Sequence, residues 1–267
     1  MEYIFKFTEF IQALHPLIVF LVIFLFGMYV FWRGCAESRK NRSSVFDMFL
    51  ISGFLSGVVG RSVYIVLEWE QFSSFIWYWI PYEKYGDQVY LFRLLPWRFF
   101  SIWDGGLVIL AMFVALLLVM TFYSLVIKKW RWKHMFFPIY FSATTMIGSS
   151  FVYVGITSGY NAWIYKGLVL IMILAIFFLL FKFIYKIIKD TLTEKYVLGY
   201  IGLGIVWISS IYISYLYLTS NLSMTENILV GIFLIWSLVM GVVFVSDLRK
   251  AKVRIQSVST VRTVKTE

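Results

Sequence analysis

Long apolar runs separated by short polar connections recur along the whole chain. They extend over Ala13 to Trp32, Val45 to Leu67, Trp103 to Ile127, Phe136 to Thr157, Trp163 to Ile188, Tyr196 to Thr219 and Asn227 to Ser246. About 20 residues at a helical rise of 1.5 Å cross a hydrocarbon core. Lipid offers the backbone no hydrogen-bond partner, so each run predicts a transmembrane helix rather than irregular chain. The pattern therefore predicts an all-α polytopic membrane protein with seven transmembrane helices, one membrane domain over residues 1–248 and a basic tail over 249–267. Residues 68–102 break the rhythm with the aromatic stretch "FSSFIWYWIPYEKY". Trp and Tyr at this density favour the headgroup region, which predicts interfacial elements over the outer mouth of the bundle; a loop that only anchors the chain there fits the same composition.

Composition agrees with the pattern. The 267 residues are 61% hydrophobic, 21% aromatic and 14% charged, and a mean hydropathy of +0.83 exceeds what a water-soluble fold can bury. A net charge of +10 (24 basic minus 14 acidic) raises the possibility of a nucleic-acid partner, but the basic residues lie between the spans rather than on one soluble face. Arg33, Arg39, Lys40 and Arg42 follow the first span; Lys128, Lys129, Arg131 and Lys133 follow the third; Lys182, Lys186, Lys189 and Lys195 surround the end of the fifth; Arg249, Lys250, Lys252, Arg254, Arg262 and Lys265 fill the tail. The alternate connections are poor in Lys and Arg. The positive-inside rule then predicts an outside N-terminus and a cytoplasmic C-terminus. "MEYIFKFTEF" lacks the basic start of a cleavable signal, so the first span is expected to stay.

Several chemistries are not expected. One cysteine, Cys35, excludes an intrachain disulfide. The two histidines, His15 and His134, are far apart and make no metal cluster with it. There is no Walker-type glycine loop, and the last span has no Lys for a retinal Schiff base. No cofactor is expected.

Ionisable residues inside a span are costly enough to raise a question of function. With the predicted topology, His15 stands near the outer end of the first span, Arg61 six residues before the outer end of the second, and Asp104 at the outer end of the third. Arg61 is then roughly 9 Å below that end. It follows Gly53, Gly57 and Gly60 at i, i+4 and i+7, a spacing that permits close helix packing or backbone approach to a ligand. A guanidinium facing the bundle suits a phosphate, although snorkelling or an ion pair with Asp104 or Glu68 would also place it there. Asp104 before Gly105-Gly106 equally fits a helix cap, and so does His15 before Pro16.

These residues together resemble the prolipoprotein diacylglyceryl transferases of bacteria. "HPLIVFLVIFLFGMYVFW" (His15 to Trp32) is similar to that family's His-Pro and aromatic-Gly-Met-Tyr helix. "FDMFLISGFLSGVVGRSVYIVLEW" (Phe46 to Trp69) places Gly60, Arg61 and Tyr64 in its Gly-rich second helix, and "IWDGG" matches its Ile-Trp-Glu-Gly-Gly with Asp104 in place of Glu. The resemblance covers about the first 115 residues and continues only in outline. It implies a bacterial cytoplasmic (inner) membrane protein with an outward-opening lipid-headgroup pocket formed by His15, Gly60, Arg61, Tyr64, Trp103, Asp104, Gly105 and Gly106. It also implies phosphatidylglycerol as substrate, a lipobox-containing preprolipoprotein as acceptor and diacylglyceryl transfer to the lipobox cysteine as the reaction.

The chain departs from the family where chemistry is expected. The family's essential His-Gly-Gly aligns with Leu110, Ala111 and Met112, "TTMIGSSFVYVG" lacks the signature Arg and Asn, and "WISSIYISYLYL" lacks a charged residue. A thiolate-forming transfer needs a general base and cationic stabilisation of the leaving phosphate; Arg61 serves the second need, and only His15 or Asp104 stands in for the first. Three readings follow: a transferase, a degenerate relative that binds phospholipid or lipoprotein precursor without turnover, and a small transporter or receptor.

Overall fold

The computed structural model describes residues 9–35, 41–70, 82–85, 88–91, 106–159, 161–187, 192–219 and 224–264. Among them the chain forms α1 (Pro16–Cys35), α2 (Arg42–Leu67), α3 (Ile109–Phe122), α4 (Phe136–Ser158), α5 (Asn161–Ile187), α6 (Leu192–Leu218) and α7 (Met224–Val264). Six helical stretches are long and apolar enough to cross a membrane: Pro16–Cys35, Arg42–Leu67, Ile109–Ile127, Phe136–Ser158, Gly199–Leu218 and Met224–Lys250. In α5 the stretch Asn161–Ile176 is apolar but shorter. Outward faces are oily: Phe54 is 73% exposed and Ile208 68%, while Ser52, Ser209, Ser210 and Ser237 are buried. A bundle made for water would reverse this arrangement, so the protein is a helical membrane protein.

The start of the third span and the end of the last differ from the hydropathy pattern. The third span begins as a helix at Ile109 rather than Trp103, because Gly106 has φ +80° and Val108 is extended. It ends in a π-helical turn over Tyr123–Ile127, whose i→i+5 bond runs from the Lys128 N–H to the Tyr123 carbonyl at 2.9 Å. The last helix continues beyond Ser246 to Val264. The aromatic segment also adds a small exception to the all-α expectation: β1 (Tyr82–Tyr85) and β2 (Gln88–Leu91) pair antiparallel with Tyr82 opposite Leu91. Asn41, within a glycosylation-like Asn-Arg-Ser, caps α2 by accepting the Ser43 N–H at 3.1 Å.

Helix order follows from contacts along the bundle. α1 and α2 are antiparallel, with Phe24 on Phe49 at a centroid separation of 4.9 Å and Trp32 by Phe46 at 6.4 Å. α1 also runs antiparallel to α4, where Phe20 meets Tyr153 at 5.7 Å while Gly34 faces Pro138. α3 is parallel to α7 through Phe113 and Phe233 at 5.2 Å, and α4 is parallel to α6 through Phe151 and Tyr217 at 5.1 Å. One end of the bundle therefore collects His15, the last turns of α2, Gly106 and the end of α4. The other collects Arg33, Arg42, Lys128, Lys129, Arg131, Lys133, Arg249 and Lys250.

The buried Trp132 staples the connection at the basic end. Its backbone N–H donates to Asp247 Oδ2 at 3.1 Å and its indole N–H to the Met240 carbonyl at 2.9 Å. Beside it, the Lys133 ammonium is held below its ordinary pKa, chiefly by burial and then by Arg131, with Asp247 opposing both.

α3 and α4 occupy the centre of the bundle. α3 is apolar on all sides apart from Thr121, whose hydroxyl donates to the Leu117 carbonyl at 2.6 Å. α4 carries Ser and Thr whose hydroxyls bond back to their own helix: Thr144 to the Tyr140 carbonyl at 2.7 Å, Thr145 to Phe141 at 2.7 Å and Ser150 to Met146 at 2.9 Å. Small residues let α5 approach closely. A Cβ on Gly167 would lie 2.6 Å from the Gly148 carbonyl and 2.9 Å from the Val152 nitrogen, both backbone atoms that cannot step aside. Gly167→Ala is expected to lower stability by about 1–3 kcal/mol, whereas Gly57→Ala, with open space around it, is expected to be neutral or slightly stabilising. Thermal unfolding of both variants in detergent checks this contrast.

Candidate functional site

Of the residues singled out in the second and third spans, Gly60, Arg61, Tyr64 and Gly106 are described, and they lie where α2 ends and the chain enters α3. Gly60 and Arg61 are neighbours on α2 and do different jobs. At Gly60 the absence of a side chain admits Met112, since a Cβ would lie 2.2 Å from its Cγ, and the Gly60 carbonyl accepts the Val108 N–H at 3.4 Å. Arg61 is only 8% exposed. Its Nη1–H donates to the Gly106 carbonyl at 3.0 Å, and its guanidinium carbon lies 5.4 Å from the Tyr64 ring centroid, one turn further along the helix. A cation held in such a place needs acceptors from the protein, and a turn of backbone without a side chain supplies one.

Gly106 is the fitted piece. Its φ of +80° lies in the left-handed region. A Cβ would fall 2.4 Å from Tyr64 Cε1 and 2.6 Å from Arg61 Nη1. Arg61, Tyr64 and Gly106 thus form one cluster, with Gly60 beside it on α2. Trp103, Asp104 and Gly105 lie outside the described residues. The N-cap of α3 is Val108, which makes no side-chain cap bond.

His15 is at the same end but does not join the cluster by a hydrogen bond. Its Nδ1 accepts the Leu17 N–H at 3.3 Å and its carbonyl accepts the Ile18 N–H at 2.9 Å, with Pro16 as the first residue of α1. That is the geometry of a helix cap followed by proline. The Gln12 amide donates to the Ile156 carbonyl at 2.8 Å and ties the segment before α1 to the end of α4.

The positions aligned with the family's His-Gly-Gly are packing positions. Leu110 is 2% exposed and Ala111 1%, both within the apolar interior, and Met112 fills the gap at Gly60. None of these side chains can take a proton. On α4, Ile147 is buried and Gly148 forms the seam with α5.

A second polar constellation was passed over in the sequence because none of its members is charged. Tyr140 Oη lies 2.7 Å from Ser209 Oγ, 2.9 Å from Ser210 Oγ and 3.1 Å from the Val206 carbonyl, and Ser210 Oγ is 2.9 Å from Ser237 Oγ. Nearby, the Trp236 indole N–H donates to Thr121 Oγ1 at 3.0 Å. The first chain of hydroxyls links α4, α6 and α7, and the Trp236 bond links α7 to α3. Its signal in the sequence was the Ser209-Ser210 pair within an otherwise apolar span.

No family model, curated protein or solved structure matches this chain. The geometry alone therefore defines the site.

Two substitutions test its construction. Gly106→Ala is expected to cost about 1–3 kcal/mol through backbone strain and the collision with Tyr64 and Arg61, read as a lower unfolding temperature in detergent. Tyr140→Phe removes the hub hydroxyl and is expected to cost about 1 kcal/mol, the scale of interhelical hydrogen bonds in lipid, measured by reversible unfolding in mixed micelles.

Proposed function

We propose that the protein is a divergent relative of the bacterial prolipoprotein diacylglyceryl transferases that holds an anionic glycerophospholipid such as phosphatidylglycerol at the Arg61 end of the bundle. In this reading α5 completes a set of seven spans. The Arg61 end faces outward from a bacterial cytoplasmic membrane and the basic end faces the cytoplasm, in keeping with the positive-inside rule.

The carrying observation is the Arg61 guanidinium, buried just short of the bundle end and oriented by the Gly106 carbonyl and the Tyr64 ring. A planar cation whose direction is set in advance is suited to a phosphate, because little side-chain freedom is lost on binding. Asp104 and Trp103, two and three residues before Gly106 in sequence, complete the lip in this reading. A lipobox-containing preprolipoprotein is its protein partner.

Binding without transfer is favoured by Leu110. Moving a diacylglyceryl unit onto a cysteine requires that the thiol proton be taken as the phosphate leaves. The buried, apolar surroundings of Leu110 offer no group for this, and His15 is engaged as a cap.

The test uses phosphatidylglycerol carrying a photoreactive acyl chain, reconstituted with the full chain in phosphatidylcholine vesicles and followed by mapping of the labelled peptides. Adducts are expected on the peptides around residues 60–64 and 106–112, falling roughly ten-fold in Arg61→Gln, the scale of a lost charge-assisted contact, while helicity is unchanged. Unchanged labelling of those peptides in Arg61→Gln would overturn the site. Thioether-linked lipid on an added lipobox peptide would replace the binding reading with the transferase.

A further inference from the structure

The opposite, basic end carries a cleft. It has a volume of about 450 Å³ and is lined by Trp207 of α6 and by Val242, Val245, Ser246, Arg249 and Lys250 of α7. The α7 positions have the i, i+3, i+4, i+7, i+8 spacing of one helical face. That face changes character along its length. Val242 and Val245 make an apolar wall toward the middle of the bundle, and Ser246, Arg249 and Lys250 make a polar, cationic rim about 10 Å further along the helix.

Two details give the cleft chemical direction. Gly241 lets the Trp207 ring settle against α7, since a Cβ there would lie 2.9 Å from Trp207 Nε1 and 3.0 Å from Leu203 Cδ1. The indole N–H is buried against α7, and among the described residues it has no acceptor. On the rim, Arg249 and Lys250 are exposed, and among the described residues neither is paired with a carboxylate. Asp247, the acid nearest in sequence, instead accepts the Trp132 N–H.

We infer that this cleft seats an anionic phospholipid of the leaflet at the basic end, with its phosphate at Ser246, Arg249 and Lys250 and the start of an acyl chain along Val242, Val245 and Trp207. The adjoining surface is lipid-facing, with Val242 64% and Ile208 68% exposed, so the cleft opens sideways to acyl chains. A small aqueous anion would use the rim and leave the apolar wall bare. A zwitterionic headgroup would bring its own cation against two others, so charge complementarity selects a net-negative lipid. The inference is independent of the Arg61 site, which lies at the other end.

Trp207 provides a local readout. The full chain is reconstituted in phosphatidylcholine containing a minor fraction of phosphatidylglycerol, with bromine on the acyl chains of one lipid or the other. The fluorescence missing from Trp207→Phe defines the Trp207 component. Brominated phosphatidylglycerol is expected to quench that component more than brominated phosphatidylcholine at equal mole fraction. The preference is expected to weaken roughly five-fold for each cation removed in Arg249→Gln and in Arg249→Gln/Lys250→Gln, and to persist in Arg61→Gln. The rim substitutions are at exposed positions, and circular dichroism checks that helix content is kept. Equal quenching by the two lipids, or an undiminished preference in the double variant, overturns the proposal. Displacement of the lipid by soluble glycerol phosphate would make this an aqueous anion site and would overturn it as well.

Discussion

In hydrocarbon a polar group finds its partner inside the protein or goes without, and that constraint shapes this structure more than any other. Thr144, Thr145 and Ser150 of α4 turn their hydroxyls back onto carbonyls one turn earlier in the same helix, while the buried Ser142 hydroxyl has no partner among the described residues. Tyr140 satisfies itself across three helices instead, drawing α6 and α7 toward α4 through Ser209, Ser210 and Ser237. Arg61, the most expensive of these groups to bury, is met by the carbonyl of a glycine that lies outside any helix. The start of the third span appears irregular in isolation. Its extended approach puts the Gly106 carbonyl where the guanidinium can reach it, and the same stretch donates the Val108 N–H back to Gly60.

Close approach between helices is the second requirement, because lipid tails are as apolar as the side chains they would replace and give helices little reason to associate. Glycines meet that requirement locally, each with its own partner. On α2, Gly53 admits Phe24 of α1, Gly60 admits Met112 of α3, and Gly57 between them faces open space. A stripe that looks continuous in sequence is therefore divided between two neighbours, with a gap in the middle. The α4–α5 seam is tighter, since the backbone itself is the neighbour at Gly148 and Gly167.

The two ends of the bundle differ in charge, and this bears on both proposed sites. At one end a cation is buried and oriented by a backbone carbonyl and a tyrosine ring; at the other, exposed cations rim an apolar cleft. The first arrangement fits a headgroup held in one orientation, and the second fits a lipid that exchanges with the leaflet. Chemistry beyond binding requires a proton acceptor near the leaving phosphate. Among the described residues, Met112, which packs at Gly60 beside Arg61, offers no such group.

Helix existence and order were legible from hydropathy alone, because a span must be apolar for its full length and the connecting charges alternate in number. Residue position within a span gives depth once direction is known, and this is what set His15, Arg61 and Asp104 at one end in the sequence, whereas Gly60, Tyr64 and Gly106 entered the site through the family resemblance. Other features could not be read this way. That α3 starts at Ile109, that His15 serves its own helix, and that Ser209, Ser210 and Ser237 meet Tyr140 all depend on which faces turn toward one another. Hydropathy measures the preference of each residue for lipid over water, a property of the residue by itself, and so it marks which helices are apolar enough to cross a membrane. Partner choice among buried donors and acceptors is a property of pairs brought together from distant parts of the chain, and only the packed bundle decided it.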